Sequence, residues 1–402
     1  MGTHLLDCFS YTEKHTAENL GSLLKKTFEE WRIENKVVCI VSDNAANIIA
    51  AIRKGGWASR PCFAHSINLL VQDGLKQIEN MLNKLKAIVA YFKRSSSALV
   101  KLQQTQKQMQ LPEVKLKQDI VTRWDSTLDM VQRACQIKDA IISTLALKNP
   151  ALNTISANEY IILEKLIDIL QIFKDVTEEV SEEKGVTISK ILLFVRAIYE
   201  HIQKYYNNPD LETELKGVVE VFRNNFFKRF SDVEDIAVYA ESTVLDPRFK
   251  KYGFKEEHKY SDVVLNLRKK LSYVSLKERV EEKYPIETIQ PTTSKSILWS
   301  TFDSNVSNLI EESNKTAAGI IELDRYLSEP LIARHENPLE WWYSRRHVYP
   351  RIYSYVKKVL CITASSVPSE RFFSKAGQVI TEKRSSLKSG KVSKILFLNA
   401  NL

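Results

Sequence analysis

Residues 37–52 read VVCIVSDNAANIIAAI, and two structural patterns meet inside them. Val37 to Val41 crowd apolar, β-prone side chains together, the signature of a buried strand, which is expected over 36–42. From Asn44 the spacing turns helical and closes at Gly55-Gly56, where glycine readily ends a helix. Asp43 falls at the junction. Ligands of open α/β sheets gather beyond the carboxyl ends of strands, and clustered carboxylates there can hold the metal pair of a phosphoryl-transfer site. An Asp so placed also serves as the N-cap of the following helix, and both roles stay open.

Outward from this stretch the order alternates. HLLDCFSY (4–11) has the imperfect alternation of a short strand. HTAENLGSLLKKTFEEWRIEN is a helix with Thr16 as N-cap and an apolar stripe of Leu20, Leu23, Leu24, Phe28 and Trp31. RPCFAHSINLLVQDGL is extended at Pro61 and helical from near Ala64. A β-α-β-α-(β)-α order predicts an α/β sheet domain, although a small one. From Gln72 to Lys283 nearly every segment carries i, i+3, i+4 apolar spacing, with no fixed-period repeat. YPIETIQPTTSKS (284–296) breaks that pattern and is expected to be a flexible link. The last block is helical again. Asn337 caps, Pro338 starts and Glu340 reaches back in a capping-box arrangement. Further helices start near Pro350, Val367-Pro368 and Ser389-Gly390.

Composition sets the bounds. The 402 residues suffice for two or three domains. Hydrophobic residues at 44% and charged residues at 27% belong to a globular chain. Gly and Pro, 11 each, leave few helix breakers. No apolar run approaches the roughly 20 residues that span a bilayer, and the N-terminus lacks a signal-peptide pattern. MGTHLL has Leu6 where myristoylation wants Ser or Thr. Five scattered cysteines point to free thiols in a reducing compartment. The net charge of +9 is concentrated: from Trp341 onward twelve Lys/Arg face only Glu370 and Glu382. Such a local basic field suits a polyanion, or else a solubilising helical face.

Several side chains are candidates for chemistry. Glu370 lies in the first turn of a helix, where the dipole stabilises a carboxylate, and it is one of two acids in a basic block. Cys62 and His65 have C-x-x-H spacing but lack the second pair that a zinc site requires, so a packed Cys beside a hydrogen-bonded His is the alternative. In TRWDST (122–127), Trp124 beside Arg123 is either core or a platform for a nucleobase. There is no Gly-rich phosphate loop, G-x-S-x-G or H-E-x-x-H. Trp341, Trp342, Tyr355, Phe372, Phe373, Leu396 and Phe397 exceed what a small helical block readily hides, which predicts self-association.

Together HTAENL, VSDNAAN, PCFAHSINLLVQ, TRWDST, LDPRFK (245–250), NPLEWW and SSVPSERFFSKAGQVITEKRSSL resemble the hAT superfamily of DNA transposases and its BED-type zinc-finger relatives. The stretches keep family order along almost the whole chain, and the last is the most specific. The resemblance implies a ribonuclease-H-like core interrupted by a large all-helical insertion, with hAT dimerisation helices at the C-terminus. It implies three carboxylates holding Mg2+ or Mn2+, with Asp43 matching the second and Glu370 the third. Cys62 and His65 match a C-x-x-H structural motif near the active site, and Trp124 an aromatic that stacks on a flipped base. Asp7 does not match the first carboxylate. That residue, the first sheet strands and the BED finger have no counterpart, so the core is expected to be incomplete.

The resulting expectation has three domains: 1–125 as the N-terminal part of the core, 126–325 as the helical insertion with its link near 284–300, and 326–402 as the dimerisation region completing the core. The expected function is that of a transposase-derived nuclear protein that self-associates and binds DNA or chromatin. Asp43 and Glu370 would be vestigial metal-binding carboxylates. No bound cofactor is expected, and Mg2+ or Mn2+ only if the chain is active. DNA contacts fall to Arg123, Trp124, Arg345, Arg346, Lys383 and Arg384. The partner is a second copy or a related hAT-family protein through 326–402, with no membrane. The rival is an active metal-dependent transposase whose first Asp comes from elsewhere; a third class is a helical scaffold.

Overall fold

The strand at 36–42 forms, but shorter than expected. The computed structural model describes residues 2–8, 11–120, 122–152, 154–274, 317–379 and 389–401. In it β1 is Ile40–Ser42, and all three residues are half-buried rather than buried. Its one neighbour among the described residues is β2, Ser59–Pro61, paired in parallel with Ile40 opposite Ser59. A two-stranded ribbon covers little of itself, so Val38 stays exposed. The strand expected at 4–11 is absent from residues 4–8. The Leu5 N–H instead donates to Asn401 Oδ1 at 3.1 Å, and Asn401 Nδ2 donates to the Leu5 carbonyl at 2.9 Å. One carboxamide satisfies the two groups that a strand partner would have taken. Among the described residues the architecture is predominantly helical with one parallel strand pair, so the α/β expectation holds only in that reduced form.

The chain folds as two units. The first comprises Leu5–Glu182, Leu193–Asp232 and Ala364–Leu402. Around the strands lie α1 (Ala17–Glu30, capped by Thr16), α2 (Ala46–Lys54) and α3 (Phe63–Leu75). Gly56 after α2 takes φ 73°, a conformation that glycine adopts without strain. The helical run continues as α4 (Glu79–Arg94), α5 (Ser96–Gln108), α6 (Trp124–Gln136), α7 (Lys138–Lys148) and α8 (Ala157–Val180), the last opened by a capping box of Ser156 and Glu159. Then come α9 (Ile191–Tyr206) and α10 (Thr213–Phe230). Their core is aromatic. Phe173 of α8 meets Phe222 of α10 at 5.1 Å and Trp124 of α6 at 6.4 Å between ring centroids. Gly74 makes this possible, because a Cβ there would lie 2.1 Å from the Phe222 ring.

The second unit comprises Met1–His4, Glu183–Leu192 and Val233–Thr363. Its centre is α11 (Ala237–Leu245), buried from Tyr239 to Leu245. Around it are α12 (Glu257–Ser272), α13 (317–328), α14 (Pro338–Ser344) and α15 (Pro350–Val359). The last carbonyls of α11 have no partner within the helix. Tyr326 donates its hydroxyl to the Val244 carbonyl at 3.0 Å, and Trp342 its indole N–H to that of Leu245 at 2.9 Å. Trp341 and Trp342 are buried with Tyr326 and Tyr349, with ring centroids as close as 4.7 Å. This corrects the count of spare apolar surface, since both tryptophans are core. Asn337 caps α14, but Glu340 accepts from the Asn337 side chain rather than its backbone, so the capping box is incomplete.

The division into units differs from the boundaries expected from sequence: 326–363 belong to one unit and 364–402 to the other. The expected link at 284–300 lies outside the described residues. The remaining helices of the first unit are α16 (Val367–Val379) and α17 (Ser389–Asn401).

LDPRFK acquires a structural role. Asp246 is fully buried and accepts from Ser189 Oγ at 2.6 Å and from the Arg248 guanidinium at 2.7 Å. Lys250, at φ 46°, donates to the Tyr326 and Glu329 carbonyls at 2.6 and 2.7 Å, capping the end of α13. Burial pulls the Lys250 ammonium from 10.5 down to about 8. Between those pH values the unfolded chain keeps a proton that the fold releases, so this site's contribution to stability rises with pH. Wild type should therefore gain about 1–3 kcal/mol relative to Lys250→Met between pH 8 and pH 10. Urea denaturation of both proteins at the two pH values checks this; a constant gap would contradict it.

Candidate functional site

The N-terminus of α16 is held by a clasp of three consecutive residues. Ala364 accepts the Phe63 N–H at 2.9 Å. Ser365 Oγ donates to the Val180 carbonyl, at the end of α8, at 2.8 Å. The Ser366 N–H donates to Cys62 Sγ at 3.3 Å. Cys62 is fully buried and is also the N-cap of α3, its sulfur accepting the His65 N–H at 3.4 Å. The Cys62 N–H in turn donates to the carbonyl of Ser42, the last residue of β1, at 2.7 Å. Finally, Ser366 Oγ donates to Glu370 Oε1 at 3.2 Å. A relay of bonds thus runs from the end of β1, beside Asp43, through Cys62 and Ser366 to Glu370.

Below this clasp opens a cleft of about 330 Å³. His65, Arg123, Trp124, Glu178, Glu370 and Arg371 are among the residues lining it. Four residues singled out from sequence, His65, Arg123, Trp124 and Glu370, therefore share one cavity. Arg123 is exposed at the start of α6 and its guanidinium has no hydrogen-bond or ion-pair partner among the described residues. Asn68 was not foreseen. Its amide clamps the turn before α6 on both sides, donating to the Thr122 carbonyl at 3.3 Å and accepting the Trp124 N–H at 3.2 Å. No local pattern singles it out, because α3 also carries Ser66, Gln72 and Asp73, and its role depends on α6 being packed beside it. Ser366 was equally invisible, because its role depends on a partner 304 positions away.

The other candidates fall as follows. Asp43 is exposed, and its Oδ1 accepts the Ala45 N–H at 3.3 Å. The N-cap of α2 is Ala45, without a side-chain bond, so Asp43 closes a turn rather than capping the helix. Asp43 does not line the cleft. Trp124 is 3% exposed and edge-on to Phe173, so as packed it offers no free face to a base and serves the core. Cys62 spends its sulfur on two N–H groups. Among the described residues no three His, Cys, Asp or Glu side chains converge as metal ligands. Two carboxylates alone are a poor fit to the metal pair that the resemblance implies. In the other unit, Arg345 pairs with Glu329 at 3.3 Å and lies over Trp341 at 4.4 Å, while Arg346 lies over Tyr343 at 4.1 Å. Lys383 and Arg384 lie outside the described residues.

Comparison with known proteins matches two family models. Residues 322–402 match the hAT family C-terminal dimerisation region, and residues 60–169 the ZBED1 RNase-like helical domain. Similar curated proteins include human zinc finger BED domain-containing protein 4, 23% identical over 99% of this chain and 34% of its own length. The putative AC transposase of Zea mays is 28% identical over 95% of this chain and 50% of its own. Human zinc finger BED domain-containing protein 6 is 24% identical over 90% and 40% respectively. The chain spans between about a third and a half of the length of these relatives. It is related to the hAT transposases and BED zinc-finger proteins, as the motifs implied. No helix among the described residues is long and apolar enough to cross a membrane.

The clasp makes a direct prediction. Cys62→Val removes the acceptor of two N–H groups and should cost roughly 1–3 kcal/mol, whereas Cys62→Ser, which keeps an acceptor, should cost less. Urea denaturation reads the difference. Equal losses in both variants would mean that the sulfur acts by its volume alone.

Proposed function

We propose that this relative of the hAT transposases is a transposase-derived nuclear protein that self-associates and binds DNA, without catalysing strand transfer on its own. The observation that carries this reading is the match of residues 322–402 to the family's dimerisation region. Phe373 on α16, 69% exposed, is an apolar side chain available for such contact. Deleting 326–402 is a poor test, because Trp342 and Leu396 within that span are buried core residues. Light scattering should instead find a dimer at micromolar concentration, weakened by Phe373→Asp. A wild-type monomer at that concentration would refute self-association.

DNA binding is supported by the basic excess after Trp341 and by the unpartnered Arg123 at the cleft. With no base-reading element among the described residues, phosphate contacts should dominate and affinity should fall steeply with salt. Arg123→Glu, and Arg345→Glu with Arg346→Glu, should each weaken binding across unrelated sequences and flatten the plot of log affinity against log salt by about one unit per charge lost. Fluorescence anisotropy between 50 and 200 mM salt measures both quantities; a salt-indifferent affinity would count against phosphate contacts.

One observation favours the rival enzyme: the relay through Cys62 and Ser366 ties the end of β1 to Glu370. In this reading the strand pair and α16 are what remains of a ribonuclease-H-like core, with Asp43 and Glu370 as two of three carboxylates, and Mg2+ or Mn2+ would supply Lewis-acid stabilisation of the reacting oxygens. With the first carboxylate unmatched, the chain by itself should show no cleavage of nicked or hairpin DNA in manganese. Cleavage abolished by Asp43→Ala would establish the enzyme instead.

A further inference from the structure

Trp31 closes α1 and stacks on Phe397 of α17, with ring centroids 6.1 Å apart and planes 28° from parallel. The stack is not sealed, since Trp31 is 44% exposed. On the same helix α17 presents Ile395, 43% exposed, and Leu398, 53% exposed, three residues apart and so on one face. A tryptophan left this open beside aliphatic neighbours marks a surface that gains by being covered. Phe397, Ile395 and Leu398 lie inside the segment matching the family's dimerisation region, whereas Trp31 lies far outside it.

We propose that Trp31, together with Phe397, Ile395 and Leu398, forms part of the surface on which a second copy of this chain seats. The proposal rests on the self-association reading and adds to it a contact contributed by the opposite end of the sequence. Continuity is the first argument for a second copy as occupant: the stack joins Trp31 physically to α17, so an interface that covers α17 meets Trp31 as well. Charge is the second. Glu29 and Glu30 precede Trp31, exposed and only loosely paired with Lys25 and Lys26 at 3.8 Å. Lys391 and Lys394 precede the exposed residues of α17 and are themselves exposed. A surface bearing both signs is self-complementary: a two-fold axis can set Lys391 and Lys394 of one copy over Glu29 and Glu30 of the other. A nucleic acid would gain nothing from Ile395 and Leu398, the apolar side chains that the patch exposes. Four side chains fall short of the roughly 800 Å² per partner of a standard interface, so this patch acts as an anchor within a larger contact.

The test is the dimer dissociation constant of the full chain, measured by sedimentation equilibrium for wild type, Trp31→Ala and Leu398→Glu. Each variant should raise the constant at least about tenfold, as loss of an anchor does. Because Trp31→Ala also removes an intramolecular stack, far-UV circular dichroism and thermal unfolding are recorded alongside. Leu398→Glu, at an exposed position, provides the independent check. If wild type dimerises and both variants stay within twofold of it, this surface is excluded while self-association stands. If wild type is monomeric, both fall together.

Discussion

A fully buried sulfur that accepts two backbone N–H groups is the constraint on which the candidate site depends. The sulfur belongs to Cys62, and its donors begin two different helices, α3 and α16. Helix starts leave N–H groups without internal partners. Here one atom answers for one such group at each start and so fixes the two helices to each other. The Ser42 carbonyl, held by the Cys62 N–H, ties the strand pair to the same point. The cleft follows from this arrangement. His65 is one turn into α3, Glu370 one turn into α16, and both point away from a shared anchor into a common space.

The other unit solves the complementary problem at helix ends. Carbonyls left over by α11 and α13 are met by a tyrosine hydroxyl, an indole N–H and the Lys250 ammonium. At the opposite kind of end, the Glu322 carboxylate accepts the N–H groups of Arg351 and Ile352 in the first turn of α15, at 2.9 and 3.3 Å. The buried Glu241 carboxylate is paired: it receives Lys270 at 2.6 Å and the Tyr355 hydroxyl at 2.5 Å. Such pairs contribute little net stability over an apolar filling but penalise any rearrangement that separates them.

Local signals in the sequence survived well. Thr16 caps α1, Gly55 ends α2, Pro350 opens α15, and the long amphipathic runs became helices as their periodicity required. What failed was whatever depended on partners. Apolar crowding at Val37 to Val41 indicated a strand but could not reveal that a single neighbour would leave it half-buried. HLLDCFSY has strand-like alternation, yet residues 4–8 are not a strand, and the Leu5 backbone is satisfied by a side chain from the far end of the chain. Trp341 and Trp342 looked surplus because the helices that bury them lie elsewhere in sequence. At the site, the residue types were legible in Cys62, His65, Arg123 and Glu370. Their convergence was not, because it is organised by Ser366 and Asn68, whose roles are hydrogen bonds that no local pattern encodes.

The clasp also has a consequence for biosynthesis. Ser366 is made 304 residues after Cys62. At roughly 5–20 residues per second, the ribosome needs about 15 to 60 seconds to supply the partner. Throughout that interval the start of α3 stands without its permanent neighbour, with Phe63 already synthesised and Trp124 following 61 residues later. The unit containing them is completed only once its segment from Ala364 has been made. Until then the unit must be shielded, by its own provisional collapse or by a chaperone.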